Sequence, residues 1–270
     1  MAVYYNEIDP YSAQWLRNLI AAGHLPEGDI DERSITDVQP ADLREYRQCH
    51  FFAGIGGWPL ALRWAGAEDI DGLWTGSCPC QPLSVAGQQK GHADERHIWP
   101  AFYDLIAERK PAIVFGEQVS GKIGFEWFAG VRADLEDAEY VCGAAGLPAA
   151  SVGSPHLRQR IWWMANAKHN GHRMHAGTLA GTTSEIQNGL KQFQSRTEAR
   201  NGSGALSSSD FWRNAEWVTG ADETDRRIKP GIACVAHGIP ARVGKLRALG
   251  NAIVPQVAEQ FIRAYFETDE

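Results

Sequence analysis

Four groups of residues have types and spacings that could do chemistry. The first centres on Cys80, held between Pro79 and Gln81 in Gly76-Ser77-Cys78-Pro79-Cys80-Gln81. A lone cysteine is more often a small buried hydrophobe than a nucleophile. Here the residues that follow, Gln81, Ser84, Gln88, Gln89, Lys90 and His92, are polar and argue for an exposed loop that closes over something. A thiolate favoured by a nearby arginine or helix N-terminus could attack an electrophilic carbon. The second group pairs Glu117-Gln118-Val119 with Arg158-Gln159-Arg160, each adjoining an apolar run. A desolvated glutamate with a raised pKa can donate a proton to a ring nitrogen, and two arginines spaced i, i+2 on a strand would project to one side. The plain alternative is a salt bridge at the end of a sheet.

The third group is the glycine turn Phe52-Ala53-Gly54-Ile55-Gly56-Gly57. It is either just a tight turn after a strand or a ligand loop; no Lys-Ser/Thr follows it, so it is not a phosphate-binding Walker loop, and dinucleotides or S-adenosylmethionine are then the natural ligands. The fourth is Asn6-Glu7-Ile8-Asp9. A carboxylate there can accept both hydroxyls of a ribose, or it can cap the helix that follows. Asp9, just before Pro10, is the better cap.

These groups need elements to hold them. Val3-Tyr4-Tyr5 reads as a strand, followed by a helix with Trp15, Leu16, Leu19 and Ile20 on one face. Cys49 to Phe52 is an apolar strand that breaks at the glycine turn, and Pro59 can open the next helix. Leu73 to Gly76 is a strand leading to Cys80, Trp99 to Arg109 a helix, Ala112 to Phe115 a strand ending at Gly116-Glu117, and Arg160 to Met164 another strand. A helix from Val254 to Phe266 ends the pattern. Strands alternating with helices predict an α/β fold with a doubly wound, mostly parallel sheet. Ligands of such sheets sit outside the carboxyl ends of the strands, where all four groups fall.

The chain of 270 residues is 44% hydrophobic, enough for one substantial domain and a small appended one. The catalytic domain is expected over 1–165 plus 241–270, and a small irregular domain over 166–240, with 166–210 flexible because it is rich in Gly, Ser, Thr, Asn, His and Gln. Net charge is −7, but residues 151–264 carry 15 Lys and Arg against 8 Asp and Glu. An acidic first part with a basic later part suits a small-molecule site joined to a polyanion-binding face, or is ordinary surface variation; charge alone decides neither. Five cysteines and no basic, apolar leader predict a soluble, cytoplasmic protein without a disulfide framework. Cys78-Pro79-Cys80 has no second Cys or His pair nearby, so no metal is expected.

On these residues the chain resembles the cytosine-C5 DNA methyltransferases. FAGIGG at 52–57 is similar to the family's cofactor loop, and Pro79-Cys80-Gln81 with Ser84, Gly87, Gly91, Asp94 and Arg96 to its nucleophile loop. Glu117-Gln118-Val119 stands for its Glu-Asn-Val, Gly153 to Arg160 for its Gln-x-Arg-x-Arg element, and Gly250-Asn251-Ala252 for its last Gly-Asn. The resemblance implies a class I, Rossmann-like methyltransferase fold with a target-recognition domain. It implies S-adenosylmethionine as cofactor, S-adenosylhomocysteine as product, and double-stranded DNA as substrate, with the enzyme a monomer from a restriction-modification or phage setting.

By the same resemblance Cys80, Glu117, Arg158 and Arg160 are catalytic. Phe52, Ala53, Gly54, Ile55, Gly56, Gly57, Glu7, Ile8, Asp29 (or Ser34), Pro79 and Asn251 meet the cofactor. Gln81, Ser84, Gln88, Arg96, Arg226 and Arg227 meet DNA. The target cytosine would be flipped from the duplex, with residues 84–96 closing behind it. Three departures stand out. Gln118 replaces Asn, His156 replaces Gln, and the ribose acid Glu7 precedes the glycine loop instead of following it. The last implies a transposed strand and helix, with the crossover from the third sheet position to the first passing over the second. An RNA cytosine-C5 methyltransferase, transfer of another one-carbon group to the same C5, and a catalytically silent DNA-binding relative remain open.

Overall fold

The computed structural model describes residues 2–79, 98–154, 156–168, 216–219, 225–228 and 250–267. Seven strands form the main sheet: β1 (Ala2–Asn6), β2 (Gly28–Asp31), β3 (Tyr46–Phe51), β4 (Leu73–Gly76), β5 (Ile113–Val119), β6 (Tyr140–Pro148) and β7 (Gln159–Ala167). Their order is β2-β1-β3-β4-β5-β7-β6. The pairs from β2 through β5 are parallel, and β7 runs antiparallel to both β5 and β6. Strands β8 (Glu216–Thr219) and β9 (Asp225–Ile228) form a separate antiparallel pair.

Helices cover both faces, as a doubly wound sheet requires. Beside α3 (Trp99–Arg109) and α4 (Lys122–Asp137) lie Cys49, Phe51, Trp74, Val114 and Trp163. The alternate residues Leu73, Ile113, Phe115 and Trp162 pack on α2 (Gly57–Ala65) and α5 (Pro255–Glu267). Helix α1 (Pro10–Ala21) covers Val3 and Tyr5 through Leu16. It starts as the sequence predicts: the Asp9 side chain accepts from the Ser12 amide, and Pro10 occupies the first turn.

The chain enters the sheet at β1, adds β2 on one side, and then crosses to place β3 on the other side of β1. That is the transposition predicted from the position of Glu7. The glycine loop therefore follows the third strand of the chain, in the middle of the sheet.

Several element bounds differ from expectation. Strand β5 does not stop at Gly116 but pairs with β7 through Glu117, Gln118 and Val119. Gly116 lets the two strands stay close, because a Cβ there would lie 2.1 Å from the Trp163 ring. Strand β7 runs from Gln159 to Ala167, three residues past the expected end at Met164. Arg158 precedes β7 with a φ of 35°, so it and Arg160 are not two residues on one face of a strand. Helix α2 opens at Gly57, two residues before Pro59.

Candidate functional site

A cleft of about 690 Å³ lies across the carboxyl ends of β1, β3, β4 and β5. Described residues from each of the four groups line it: Ser77 to Pro79, Glu117 to Val119 with Arg158 and Arg160, Phe52 to Ile55 with Gly57, and Asn6 to Asp9.

The glycine loop forms one wall, and its glycines serve different ends. Gly54 has a φ of 56°, and the place a Cβ would take has no atom nearer than 4.0 Å. The loop backbone thus stands open to the cleft. Gly57 is glycine for packing, since a Cβ would sit 2.6 Å from Ile253 Cγ1. That contact brings residues 250–253, including Asn251, to the rim.

Glu7 and Asp9 divide the roles left open by the sequence. Asp9 caps α1. Glu7 instead accepts from the Gly54 amide at 2.7 Å and from the Asp9 amide at 2.8 Å. It ties the end of β1 to the glycine loop. Ile8 beside it lines the cleft and is 63% exposed.

The far wall is set by Asn6, which in the sequence is legible only as part of a run. Its buried amide donates to the Asp31 and Arg33 carbonyls, which brings Ser34 and Ile35 to the cleft. Burial pushes the Asp31 carboxyl up, but hydrogen bonds from Arg33 and Tyr4 outweigh this and hold it below the usual range. Asp29 is placed differently from the expectation. It is exposed on the amino-terminal half of β2, where it accepts from the Tyr46 hydroxyl at the start of β3. The alternative, Ser34, lines the cleft.

At the opposite end Glu117 is 9% exposed and pairs with Arg160 at 2.8 Å. Burial raises its pKa, opposed by the charges of Arg160 and Arg158 and the Arg160 hydrogen bond. The net shift is upward. A carboxyl that keeps its proton longer than usual, next to a guanidinium that orients it, is equipped for general acid work. The salt bridge expected as the plain alternative is present, and it faces the cleft. Arg158 plays a different part. Its Nη2 donates to the Gly250 and Ala252 carbonyls, at 3.1 and 2.7 Å, and so fixes the rim that carries Asn251.

Gln118, the departure from Asn, is buried and donates to the Cys78 carbonyl at 3.3 Å, while its own oxygen accepts from the Val119 amide. Trp58 and Ser77, joined through Trp58 Nε1 and Ser77 Oγ at 2.9 Å, also line the cleft and carried no signal in the motif reading. Pro79, which precedes Cys80 in the chain, lines the cleft. Cys80, Gln81, Ser84, Gln88 and Arg96 lie outside the described residues, as does most of 166–210. Arg226 and Arg227 fall on β9.

A model of C-5 cytosine-specific DNA methylases matches residues 65–230. Among curated relatives, the type II methyltransferase M.AplI of Arthrospira platensis is 36% identical over 92 residues, covering 33% of this chain and 27% of its own length. M.HhaI of Haemophilus parahaemolyticus is 27% identical over 176 residues, 50% of each. M.NlaX of Neisseria lactamica is 27% identical over 177 residues, 62% of this chain and 45% of its own. The chain thus spans half or less of the length of these relatives. Among solved structures, a DNMT2 mutant of Spodoptera frugiperda aligns with a TM-score of 0.45 at 15% identity, over 65% of this chain and 45% of that one.

Proposed function

The chain belongs to the C-5 cytosine-specific DNA methylase family, and from that premise we propose that it transfers a methyl group from S-adenosylmethionine to carbon 5 of cytosine in double-stranded DNA. The observation that carries this reading is the cleft itself. It joins an open glycine loop, the Glu7 carboxylate, a buried Glu117–Arg160 pair and Pro79, the residue before Cys80 in the chain.

The residues fit the cofactor. The backbone at Gly54 has room for close approach, Ile8 offers an apolar face, and Glu7 on the same wall would accept the ribose hydroxyls. Bound there, the cofactor supplies an electrophilic methyl on a sulfonium. Phe52 to Gly57, Ser34, Pro79 and Asn251 would complete its surroundings. Asp29 has no part in this wall.

The chain's own residues then act on the base. The Cys80 thiolate adds to C6, forming an S–C6 bond and moving an electron pair toward C5. Glu117, held by Arg160, protonates or hydrogen-bonds the N3 and N4 edge and so stabilises that pair. Carbon 5 would take the methyl group with that pair, the S–CH3 bond breaking so that S-adenosylhomocysteine leaves as a neutral thioether. Loss of the C5 hydrogen as a proton returns its electron pair to the ring and expels the Cys80 thiolate. Carbon 6 is inaccessible within a duplex, so the base is flipped out. Residues 166–240, with Arg226 and Arg227, supply the target-recognition part. The proposed setting is cytoplasmic DNA, with the enzyme a monomer in a restriction-modification or phage context; separately, no helix among the described residues is long and apolar enough to cross a membrane.

The test offers duplex DNA and tRNA side by side with cofactor labelled in its methyl group, followed by mass spectrometry of the nucleosides. 5-Methylcytosine in DNA is expected. Label confined to tRNA, or a one-carbon group other than methyl, would contradict the reading.

A further inference from the structure

The hydrogen bond between Trp58 and Ser77 is not used by any step above. Trp58 directly follows Gly57 in the first turn of α2 and is 3% exposed. Its ring stacks on Phe115 at 6.1 Å and meets the edge of Trp162 at 5.5 Å, so the indole is held in one orientation. Its Nε1–H is thereby aimed at Ser77 Oγ, 2.9 Å away. Ser77 is the first residue past β4 and lies three positions before Cys80.

The next residue is fastened from the other face of the sheet. Cys78 is 2% exposed within the core beside α3 and α4, and its carbonyl accepts from Gln118. Only Pro79 then separates this step from Cys80, and its ring fixes φ near −65°. Orientation imposed on Ser77 and Cys78 passes to Cys80 through one torsion fewer than in an ordinary chain.

We propose that Trp58 is a positioning residue for Cys80, acting through the side chain of Ser77, and that it thereby locks the root of the nucleophile loop to the cofactor loop. The proposal rests on the methyl-transfer reading for its kinetic consequence. A buried tryptophan needs a partner for its N–H in any case, so the bond must be distinguished from ordinary packing. Trp58→Phe keeps the ring and removes the donor, and Ser77→Ala removes the acceptor.

Single-turnover methylation should slow about tenfold in each variant, within the ~100-fold that a misplacement of order 1 Å can cost. The double variant should be no slower than the slower single one, because both remove the same bond. Affinity for S-adenosylhomocysteine should stay within about twofold of wild type, as expected when positioning alone is lost. Alkylation of Cys80 by iodoacetamide, followed by mass spectrometry, reads the loop without substrate and should change in rate by at least about threefold in both variants, since it reports access and thiolate character. Wild-type rates in both assays overturn the proposal, as do losses that multiply in the double variant or match an equal loss of cofactor affinity. Where Trp58→Phe fails to fold, Ser77→Ala decides alone. A wild-type protein that methylates nothing contradicts the function, and the alkylation comparison still decides the positioning role.

Discussion

Glu117 is the residue whose environment says most about its use. Burial raises its pKa and Arg160 moderates the rise. A carboxyl with a raised folded pKa is protonated to higher pH than usual, so a step needing its proton weakens as pH rises through that pKa. The basic limb of kcat/KM should therefore include a group above the ordinary glutamate range, and Glu117→Gln should remove that limb and lower kcat by about 100-fold or more. An unchanged profile in the variant contradicts the acid role. Arg160→Ala leaves the carboxyl buried without its ion pair and should move the same limb further up. Arg158→Ala removes the second of the two charges that lower the Glu117 pKa and also frees the Gly250 and Ala252 carbonyls. It should weaken S-adenosylhomocysteine binding by about tenfold, the worth of one or two hydrogen bonds to a charged group, as measured by calorimetry.

At the scale of elements, the contact of the glycine loop with the chain before α5 makes a sharp prediction. Gly57→Ala puts a Cβ 2.6 Å from Ile253 Cγ1. It should cost about 1–3 kcal/mol in denaturant unfolding, and Ile253→Ala in the same chain should recover part of that loss. Additive losses would contradict the packing account. The elements legible in the sequence are those with an apolar run and a clear stop. Asp9-Pro10 marks the start of α1, Trp99 to Arg109 coincides with α3, and the order of Glu7 and FAGIGG signals the crossover. Less legible are elements whose residues look unlike strands. Strand β2 is Gly-Asp-Ile-Asp, and the middle of β6 is Gly143-Ala144-Ala145-Gly146, both poor in the β-branched residues that mark strands. Without β2 in place, Asp29 and Ser34 could not be told apart. Glu117 reads as lying past a strand because polar residues follow Phe115, yet pairing with β7 carries β5 on to Val119.

For the whole molecule, two bulk properties follow from buried and distributed charge. His50 lies fully buried in the middle of the sheet, with Nδ1 against Thr75 Oγ1 at 2.8 Å, and burial lowers its pKa to about 3. The unfolded chain takes up a proton near pH 6.5 and the folded one does not, so stability is present above that pH and falls as pH drops toward the folded value. The slope is about 1.4 kcal/mol per pH unit. Glu117 opposes it, because a raised carboxyl pKa favours the folded state at low pH. The difference between wild type and His50→Asn isolates the histidine: the wild type should lose stability relative to the variant between about pH 6 and 4, and parallel curves would contradict its burial as a neutral group. On the proposed function, the charge asymmetry concerns DNA. The basic balance over residues 151–264 predicts affinity that falls steeply with salt, with a shallower slope after Arg226→Ala and Arg227→Ala. Methyl transfer by this route depends on one thiol. Wild-type protein, S-adenosylmethionine and duplex DNA carrying 5-fluorocytosine, which cannot lose its C5 substituent as a proton, should give a covalent complex whose peptide map places the bond at Cys80. Cys80→Ala should give none while binding S-adenosylhomocysteine as wild type does, whereas an adduct in that variant, or at another residue, would contradict the account.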